Sequence, residues 1–516
     1  KNVSGWFKIV STGRVQGPVL ALVAERDKEI NVFVPAPYWA IDSIGEYEGH
    51  EIDLEYEIQR IHNMMEAEGI ANSLRGKEAL VKEIKRSKLN QPPPVPFNLS
   101  GLQAESYRHF GYKPSRTLAL AQALYVEGVI SYPRTSSQKI PPSIDIKQIL
   151  NKLGTIKSYQ GSVKKIIASR NLTPVEGKKT DPAHPAIHPT GEKSTRKLTP
   201  SEKNVYDLIV RRFLSLFGPT ATKERMKVDL TCDGHNLIAR GLRTLELGWM
   251  EFYDKYADQK ERILPHLTQG DYILLKKVES EEKRTSPPNK YNPASLLKIL
   301  EKEDLGTKAT RASIVDSVRS RGYTLNDRFE MSTLGYALFE TLEEYIPSLL
   351  SPEFTRELQR DMEKIQDCVT DRATVLNDAK QVLVSLLGEF QSQEDMIGDA
   401  LVTGLRRYWG ESEEVGSCPK CGDGKLRIIQ SSKTGKRFVG CSNYREGKCD
   451  QTFPLPQKGR ITPIDKTCPH CGYQMMRIVS GRRGWETCVN WAKCPGRQEE
   501  LKELEERRTK GGKKNE

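Results

Sequence analysis

Apolar and polar side chains alternate through residues 224–280, as in Lys227-Val228-Asp229-Leu230, and Tyr272-Ile273-Leu274-Leu275 continues the run, so this stretch predicts strands. The same alternation extends from Tyr38 to Tyr56. Pro18 to Ile30 reads as a helix ending near Pro35, Leu118 to Val126 is rich in Ala, Leu and Gln, and 295–395 is strongly helical. Gln91-Pro92-Pro93-Pro94-Val95-Pro96 is a stiff linker. The chain thus divides into a helical start (1–38), a strand-rich segment (39–96), a helical region (97–218), a return to strands (219–285) and a second helical region (286–400).

One junction in this pattern carries chemistry. Gly128 stops the Leu118–Val126 helix, Val129-Ile130-Ser131 reads as a strand, and Pro133 biases Tyr132 away from helical backbone. A phenol is thereby held on an extended segment, two residues from Arg134, whose planar fork suits a phosphate. A tyrosine oxygen can attack a phosphodiester and hold the phosphate as a covalent ester. A half-buried strand tyrosine beside a solvated arginine fits the same residues, and taken alone they favour that plainer reading.

Charge and cysteine usage change the balance. The chain has 516 residues, room for several domains, and a formal charge of +12. Between Gly416 and Arg497 there are 16 Lys and Arg against 5 Asp and Glu, so nearly all of the excess lies in that stretch. A local field of this sign points to a polyanionic partner. The 37% hydrophobic content and the lack of a long apolar run argue against a membrane span, and a cytoplasmic, nucleoid-associated protein is expected.

Eight of ten cysteines form two groups, Cys418, Cys421, Cys441 and Cys449 in 416–457, then Cys468, Cys471, Cys488 and Cys494 in 466–497. A close pair on a knuckle, then a second pair after a hairpin-length gap, is the layout of a four-thiolate zinc ribbon. Disulfides are the competing reading, which a cytoplasmic chain rarely keeps. His470 sits in the second knuckle as a bystander, and Cys232 and Cys368 read as small core residues. Phe438, Tyr444, Phe453, Tyr473, Trp485 and Trp491 are interleaved with Arg437, Arg445, Arg477, Arg482 and Arg483, a pairing suited to single-stranded nucleic acid, with about half of the aromatics expected in the ribbon cores. A zinc-stabilised protein-interaction module is the alternative. Residues 498–516 form a charged tail.

Three further runs put small residues, hydroxyls and cations where a phosphate could sit. Ser11-Thr12-Gly13-Arg14-Val15-Gln16-Gly17-Pro18 opens a helix, and Gly306-Thr307-Lys308-Ala309-Thr310-Arg311-Ala312 opens another below the helical Asn292–Glu303 segment. The second is not a Walker loop. Asp181-Pro182-Ala183-His184-Pro185-Ala186-Ile187-His188-Pro189-Thr190 is a rigid loop with two histidines.

Together with Ser351-Pro352-Glu353-Phe354-Thr355, and in their order along the chain, these segments resemble the type IA DNA topoisomerases, most closely the archaeal form. The likeness covers residues 1 to about 395, with the cysteine ribbons matching the family's C-terminal zinc modules. It implies a multidomain α+β fold: a toroidal core of helical domains and a β-rich arch, followed by two four-cysteine zinc ribbons. It also implies ATP-independent relaxation of negatively supercoiled DNA by breaking, passing and rejoining single strands through a 5′-phosphotyrosyl bond. By the resemblance Tyr132 is the nucleophile, Arg134 positions the phosphate and His184 lies beside them. Ser11, Thr12, Gly13, Arg14, Val15 and Gln16 would contact DNA, as would Thr307, Lys308, Thr310 and Arg311. Residues 97–218 would be the mobile domain bearing the tyrosine, with 39–96 and 219–285 as the arch. The family's magnesium is held by a Toprim domain that does not precede Trp6, where Glu25, Asp27 and Glu29 read as a solvated helix face. Full activity is therefore expected to need a missing Toprim part, whether a separate Toprim-containing chain, a segment removed by splicing or one absent from a partial gene. A non-catalytic DNA- or RNA-binding relic and the topoisomerase part of a reverse gyrase are the alternatives.

Overall fold

The computed structural model describes residues 10–412, 414–431, 436–444, 446–457, 460–480 and 483–496. They form two compact units, one of residues up to Met331 with Ile346–Leu387, the other of Ser332–Tyr345 with the chain from Gly388 onward.

The first unit starts with helix α1 (Gln16–Asn31), whose Val19, Leu20, Val23 and Ala24 are buried. Asp27 on this helix is buried too, accepting the Met331 backbone N–H at 3.1 Å, so the solvated face expected around it holds only in part. Six strands then close a barrel: β1 (Pro37–Tyr47), β2 (His50–Tyr56), β3 (Glu78–Gln91), β4 (Ala221–Cys232), β5 (His235–Glu246) and β6 (Tyr272–Arg284), in the order β1-β2-β5-β4-β3-β6. Strand alternation explains the closure. Ile52 and Leu54, Val228 and Leu230, Ile273 and Leu275 all point inward, and Ala67, Ala71 and Leu74 of helix α2 (Met64–Leu74) join their core. Each such apolar side chain, fully buried, contributes on the order of 1.5–3 kcal/mol.

Everything from 92 to 220 is inserted between two hydrogen-bonded neighbours. The β3–β4 ladder runs from Leu80 opposite Thr231 to Gln91 opposite Ala221, so the chain leaves and rejoins the barrel at one place. Trp249 clamps both connections, its indole Nε1 donating to Gln91 O at 2.9 Å and its backbone N–H to Pro219 O at 2.8 Å. A Cβ on Gly218 would lie 2.5 Å from Trp249 Cα, which explains the glycine there. The proline-rich linker is packed rather than free, with Pro93 and Pro96 buried.

The insertion holds helices α3 (Leu99–Phe110), α4 (Pro114–Val126), α5 (Ile146–Leu153), α6 (Lys157–Ser169) and α7 (Pro200–Ser215), and the short α8 (Met250–Tyr253) packs on α7 from outside it. Asn98 caps α3 by accepting the Gly101 N–H, and Thr199 with Glu202 forms a capping box on α7. The remaining helices of this unit are α9 (Pro293–Lys302), capped by Asn292, and α10 (Arg311–Ser320). After α11 (Thr333–Tyr345), which belongs to the second unit, come α12 (Glu353–Gln366) and α13 (Arg372–Ser392). Cys368, read as a core residue, is exposed, because it follows the end of α12 with a left-handed φ of 58°.

In the second unit α11 pairs with α14 (Glu394–Ser412), where a Cβ on Gly404 would collide with Ala337 Cβ. Two ribbons follow. The first is a sheet β10-β9-β8-β7 of β7 (Glu414–Ser417), β8 (Lys425–Gln430), β9 (Arg437–Cys441) and β10 (Thr452–Pro454). The second is β11 (Arg460–Thr467), β12 (Gln474–Ser480) and β13 (Arg483–Cys488), meandering in sequence order. They share one core, in which Leu426, Val439 and Phe453 meet Met476, Ile478 and Val489.

Candidate active site and zinc centres

Helix α4 hands the chain to the candidate tyrosine through a defined stop. Gly128 adopts φ 70°, its N–H bonds Tyr125 O at 2.8 Å and the Val129 N–H bonds Leu124 O at 3.2 Å, the paired closure that a left-handed glycine permits. Val129 and Ile130 are buried against Leu124 and Ile187. The expected strand is reduced to a single bridge between Ile130 and Pro189, because the histidine loop supplies its partner and passes on at once. Ser131 ties the two together: its N–H donates to His188 O at 2.9 Å, and its Oγ accepts the His188 N–H at 3.0 Å.

Tyr132 is half-buried between two rings, 4.5 Å from the His184 centroid and 5.2 Å edge-on from Tyr125. Thr135 Oγ1 donates to His184 O at 3.2 Å, fixing the histidine loop against the tyrosine segment. Among the described residues, the Tyr132 hydroxyl, the His184 ring nitrogens and the Arg134 guanidinium have no hydrogen-bond or ion-pair partner, and Arg134 Nε is buried. A buried N–H without an acceptor is costly unless something else supplies one. Tyr132 and His184 are thus in contact with their polar atoms unspent, and Arg134, equally unspent, follows two residues on in the same segment. His188 differs: it is buried, its Nδ1 lies 2.8 Å from Ala186 O, and burial pushes its pKa down, so it holds the loop in its neutral form.

Asp181, which sequence reasoning passed over, organises the other end of the loop. Its carboxylate accepts the backbone N–H groups of Ser136 (3.0 Å), Ala183 (3.1 Å) and His184 (3.2 Å), the Ser136 hydroxyl (3.1 Å), and Lys308 Nζ. Burial opposes its charge, but the Lys308 ammonium and these N–H groups outweigh that and hold its carboxyl below the usual range. Its signal was available as the loop's first residue, an Asx position whose side chain caps the backbone that follows.

Of the two other phosphate-like runs, the first packs on the far end of the helix that the second opens. Ser11 and Gln16 contact Tyr323, Arg321 and Ser317 at the end of α10, with Tyr323 Oη donating to Ser11 O at 2.8 Å and Gln16 Nε2 to Ser317 Oγ at 3.1 Å. Gly13 and Val15 accept from Gly17 and Val19 as α1 begins, Thr12 Oγ1 is buried without a partner, and Arg14 is exposed. At the start of α10, Thr307 and Thr310 bond each other at 3.0 Å, and Arg311 Nε donates to Leu305 O at 3.1 Å. Lys308 is the member of this run that reaches the tyrosine's surroundings.

In each ribbon the four sulfurs lie within 4.8 Å of one another. The Cys418–Cys449 and Cys468–Cys494 pairs are 3.7 Å apart, the Cys421–Cys441 and Cys471–Cys488 pairs 3.6 Å. A tetrahedron with zinc–sulfur bonds of about 2.3 Å has edges of about 3.8 Å, whereas a disulfide needs about 2.05 Å. The quartets therefore fit zinc, and His470 lies outside the ligand set. Phe453 packs edge-on against Tyr473 at 5.4 Å and Trp491 donates to Pro454 O at 2.7 Å, while Tyr444, Trp485 and Arg477 are exposed. Arg445, Arg482 and the 498–516 tail lie outside the described residues, as does the side chain of Arg483.

The fold and the cysteine ribbons agree with the known proteins that this chain resembles. Residues 1–377 match the DNA topoisomerase family, and 415–458 and 465–496 match the topoisomerase DNA binding C4 zinc finger. The chain belongs to the DNA topoisomerases of type IA. It is 42% identical to DNA topoisomerase 1 of Pyrococcus horikoshii over 95% of its length and 71% of that protein's, and 40% identical to DNA topoisomerase 1 of Methanocaldococcus jannaschii over 98% and 64%. Full-length topoisomerase I from Thermotoga maritima shares the fold, with a TM-score of 0.59 at 22% identity, over 88% of this chain and 72% of that one. The chain thus spans about two thirds of its relatives' length. Among the described residues, no helix is long and apolar enough to cross a membrane.

Proposed function

We propose that this chain breaks and rejoins single DNA strands through a 5′-phosphotyrosyl bond on Tyr132, relaxing negatively supercoiled DNA without ATP. In the step proposed, the Tyr132 oxygen bonds to phosphorus as the bond to the 3′ oxygen breaks. The phenol gives up its proton and the leaving 3′ oxygen gains one. Reversal restores the strand, and because one phosphodiester replaces another, no nucleotide is consumed. A phenol is a weak nucleophile at neutral pH, so the phosphate's charge has to be met. Arg134 is proposed to meet it and His184 to orient the ring. The observation that carries the reading is the contact of Tyr132 with His184, two residues before Arg134, with no partner among the described residues for the polar ends of the three.

Residues 97–218 are proposed to move as the gate on the two connections that Trp249 clamps, with the barrel as the arch. Ser11–Gln16, Thr307, Lys308, Thr310 and Arg311 are proposed to line the DNA path, although Arg311 has its Nε engaged by Leu305. The ribbons, with Tyr444, Trp485 and Arg477 exposed, are proposed to hold single-stranded DNA by stacking and charge. Among the described residues the cysteine quartets are the only gathered groups of three or more metal-binding side chains. The magnesium ligands are proposed to come from a Toprim part of the enzyme.

The test is an oligonucleotide cleavage assay on the full chain, with and without an added Toprim-containing polypeptide. Tyr132→Phe is expected to form no denaturant-stable adduct while binding DNA as before. A chain that binds DNA but forms no adduct under either condition is a binding protein, and the proposal fails.

A further inference from the structure

We propose that Asp181 is a positioning residue that assembles the tyrosine site only when Lys308 is docked on it, so that strand breakage is coupled to contact between the inserted region and the start of α10. This rests on the reading of Tyr132 as the nucleophile.

The Asp181 side chain is 1% exposed. One oxygen takes the Ala183 and His184 N–H groups, which sets the His184 loop. The other takes the Ser136 N–H and hydroxyl, which sets the segment carrying Tyr132 and Arg134. A single carboxylate therefore fixes the histidine relative to the tyrosine, and neither contact needs DNA. Among the described residues its only cationic partner is Lys308, contributed by another part of the fold. Lys179, two residues before Asp181, repeats the arrangement by pairing with Glu301 on α9. Its backbone O also accepts the Gln138 N–H at 2.9 Å, so this second tether pulls on the same segment.

A buried carboxylate is tolerated while its cation is present and becomes strongly unfavourable when the cation leaves. Separating α9 and α10 from the insertion would strip Asp181 of its counter-charge, and the loop that it braces would loosen. Docking restores both. The cleavage geometry is then complete when these elements touch and incomplete when they part, which protects an open gate from premature chemistry. The pairing is of single residues, so it can be cut without touching Tyr132, Arg134 or His184.

The experiment compares Asp181→Asn, Lys308→Met and the double variant in the full chain, with Tyr132→Phe alongside. Adduct formation on a single-stranded oligonucleotide is measured at saturating DNA, with affinity measured separately. Asp181→Asn is expected to slow adduct formation about tenfold with Kd changed less than about twofold. Lys308→Met should slow it similarly, and the double variant no more than the worse single one. Wild-type rates in Asp181→Asn, or losses that multiply in the double variant, overturn the coupling.

Hydrogen exchange of peptides 129–140 and 179–190 gives a second readout, independent of turnover, which decides the matter if the wild-type chain forms no adduct by itself. Both single variants should exchange faster there, and unchanged protection in Lys308→Met overturns the coupling. Adducts that persist in Tyr132→Phe instead sink the nucleophile assignment, while exchange still judges the tether.

Discussion

Replacing Glu202 by glutamine tests whether the segment entering the active site is held by charge. Glu202 stands in the first turn of α7, and its carboxylate accepts the Thr199 N–H at 2.7 Å, the Thr199 hydroxyl at 2.9 Å, and both terminal nitrogens of Arg196 at 3.0 and 2.7 Å. Arg196 Nε in turn donates to Glu127 at 3.0 Å, the residue that closes α4 five positions before Tyr132. The Arg196 guanidinium, helped by Thr199 and opposed by burial, pulls the Glu202 carboxyl down to about 2. A depression of that size corresponds to at most about 3.4 kcal/mol. Arg196 is 42% exposed, so solvent screening leaves about half of it.

Glu202→Gln is therefore expected to cost about 1.5 kcal/mol at pH 7, a fall of about 3–6 °C in the melting transition of the inserted region. The sign with pH follows from the direction of the shift. A depressed carboxyl stabilises the fold above its ordinary value of 4.5 and loses that contribution as pH falls toward 2. Calorimetry of wild type and variant at pH 7 and pH 3.5 should show the gap narrowing at the lower pH. A gap below about 1 °C at pH 7, or an equal gap at both, refutes the reasoning.

Chelation, or Cys441→Ser, should melt the first ribbon and weaken single-stranded DNA binding at least about tenfold while the far-ultraviolet signal of the helical insertion is kept; metal analysis should fall from two zinc ions per chain to one in the variant. Burial depresses His188, so its neutral form stabilises the loop fully above about pH 6.5 and progressively less below it; His188→Gln should flatten the stability profile between pH 6.5 and 5 in the same calorimetry. Together with the Asp181 and Lys308 variants, these perturbations separate the tyrosine site from the ribbons.

What the sequence could and could not disclose follows the range of the interactions. The cysteine quartets were legible because ligand spacing is local, and the stop at Gly128 was legible because one residue supplies the left-handed turn. Strand alternation announced both halves of the barrel. It could not announce that Gln91 pairs with Ala221, since register across the whole 92–220 insertion is set by packing. Lys308 and Asp181 were each visible in a motif, but the ion pair that joins them spans 127 positions. Asp27 illustrates the reverse error, because helix spacing gives no warning that Met331 will bring its N–H to a carboxylate. Arg134 shows a further limit. Its meaning lies in having no partner among the described residues, a property that only the fold exposes.

The account turns on which oxygen carries the broken strand. A labelled oligonucleotide trapped on the protein, digested with protease and sequenced by mass spectrometry, reports it directly. The label is predicted on Tyr132, in the peptide that also holds Arg134; a label on any other residue, or a full yield of adduct from Tyr132→Phe, would contradict the account.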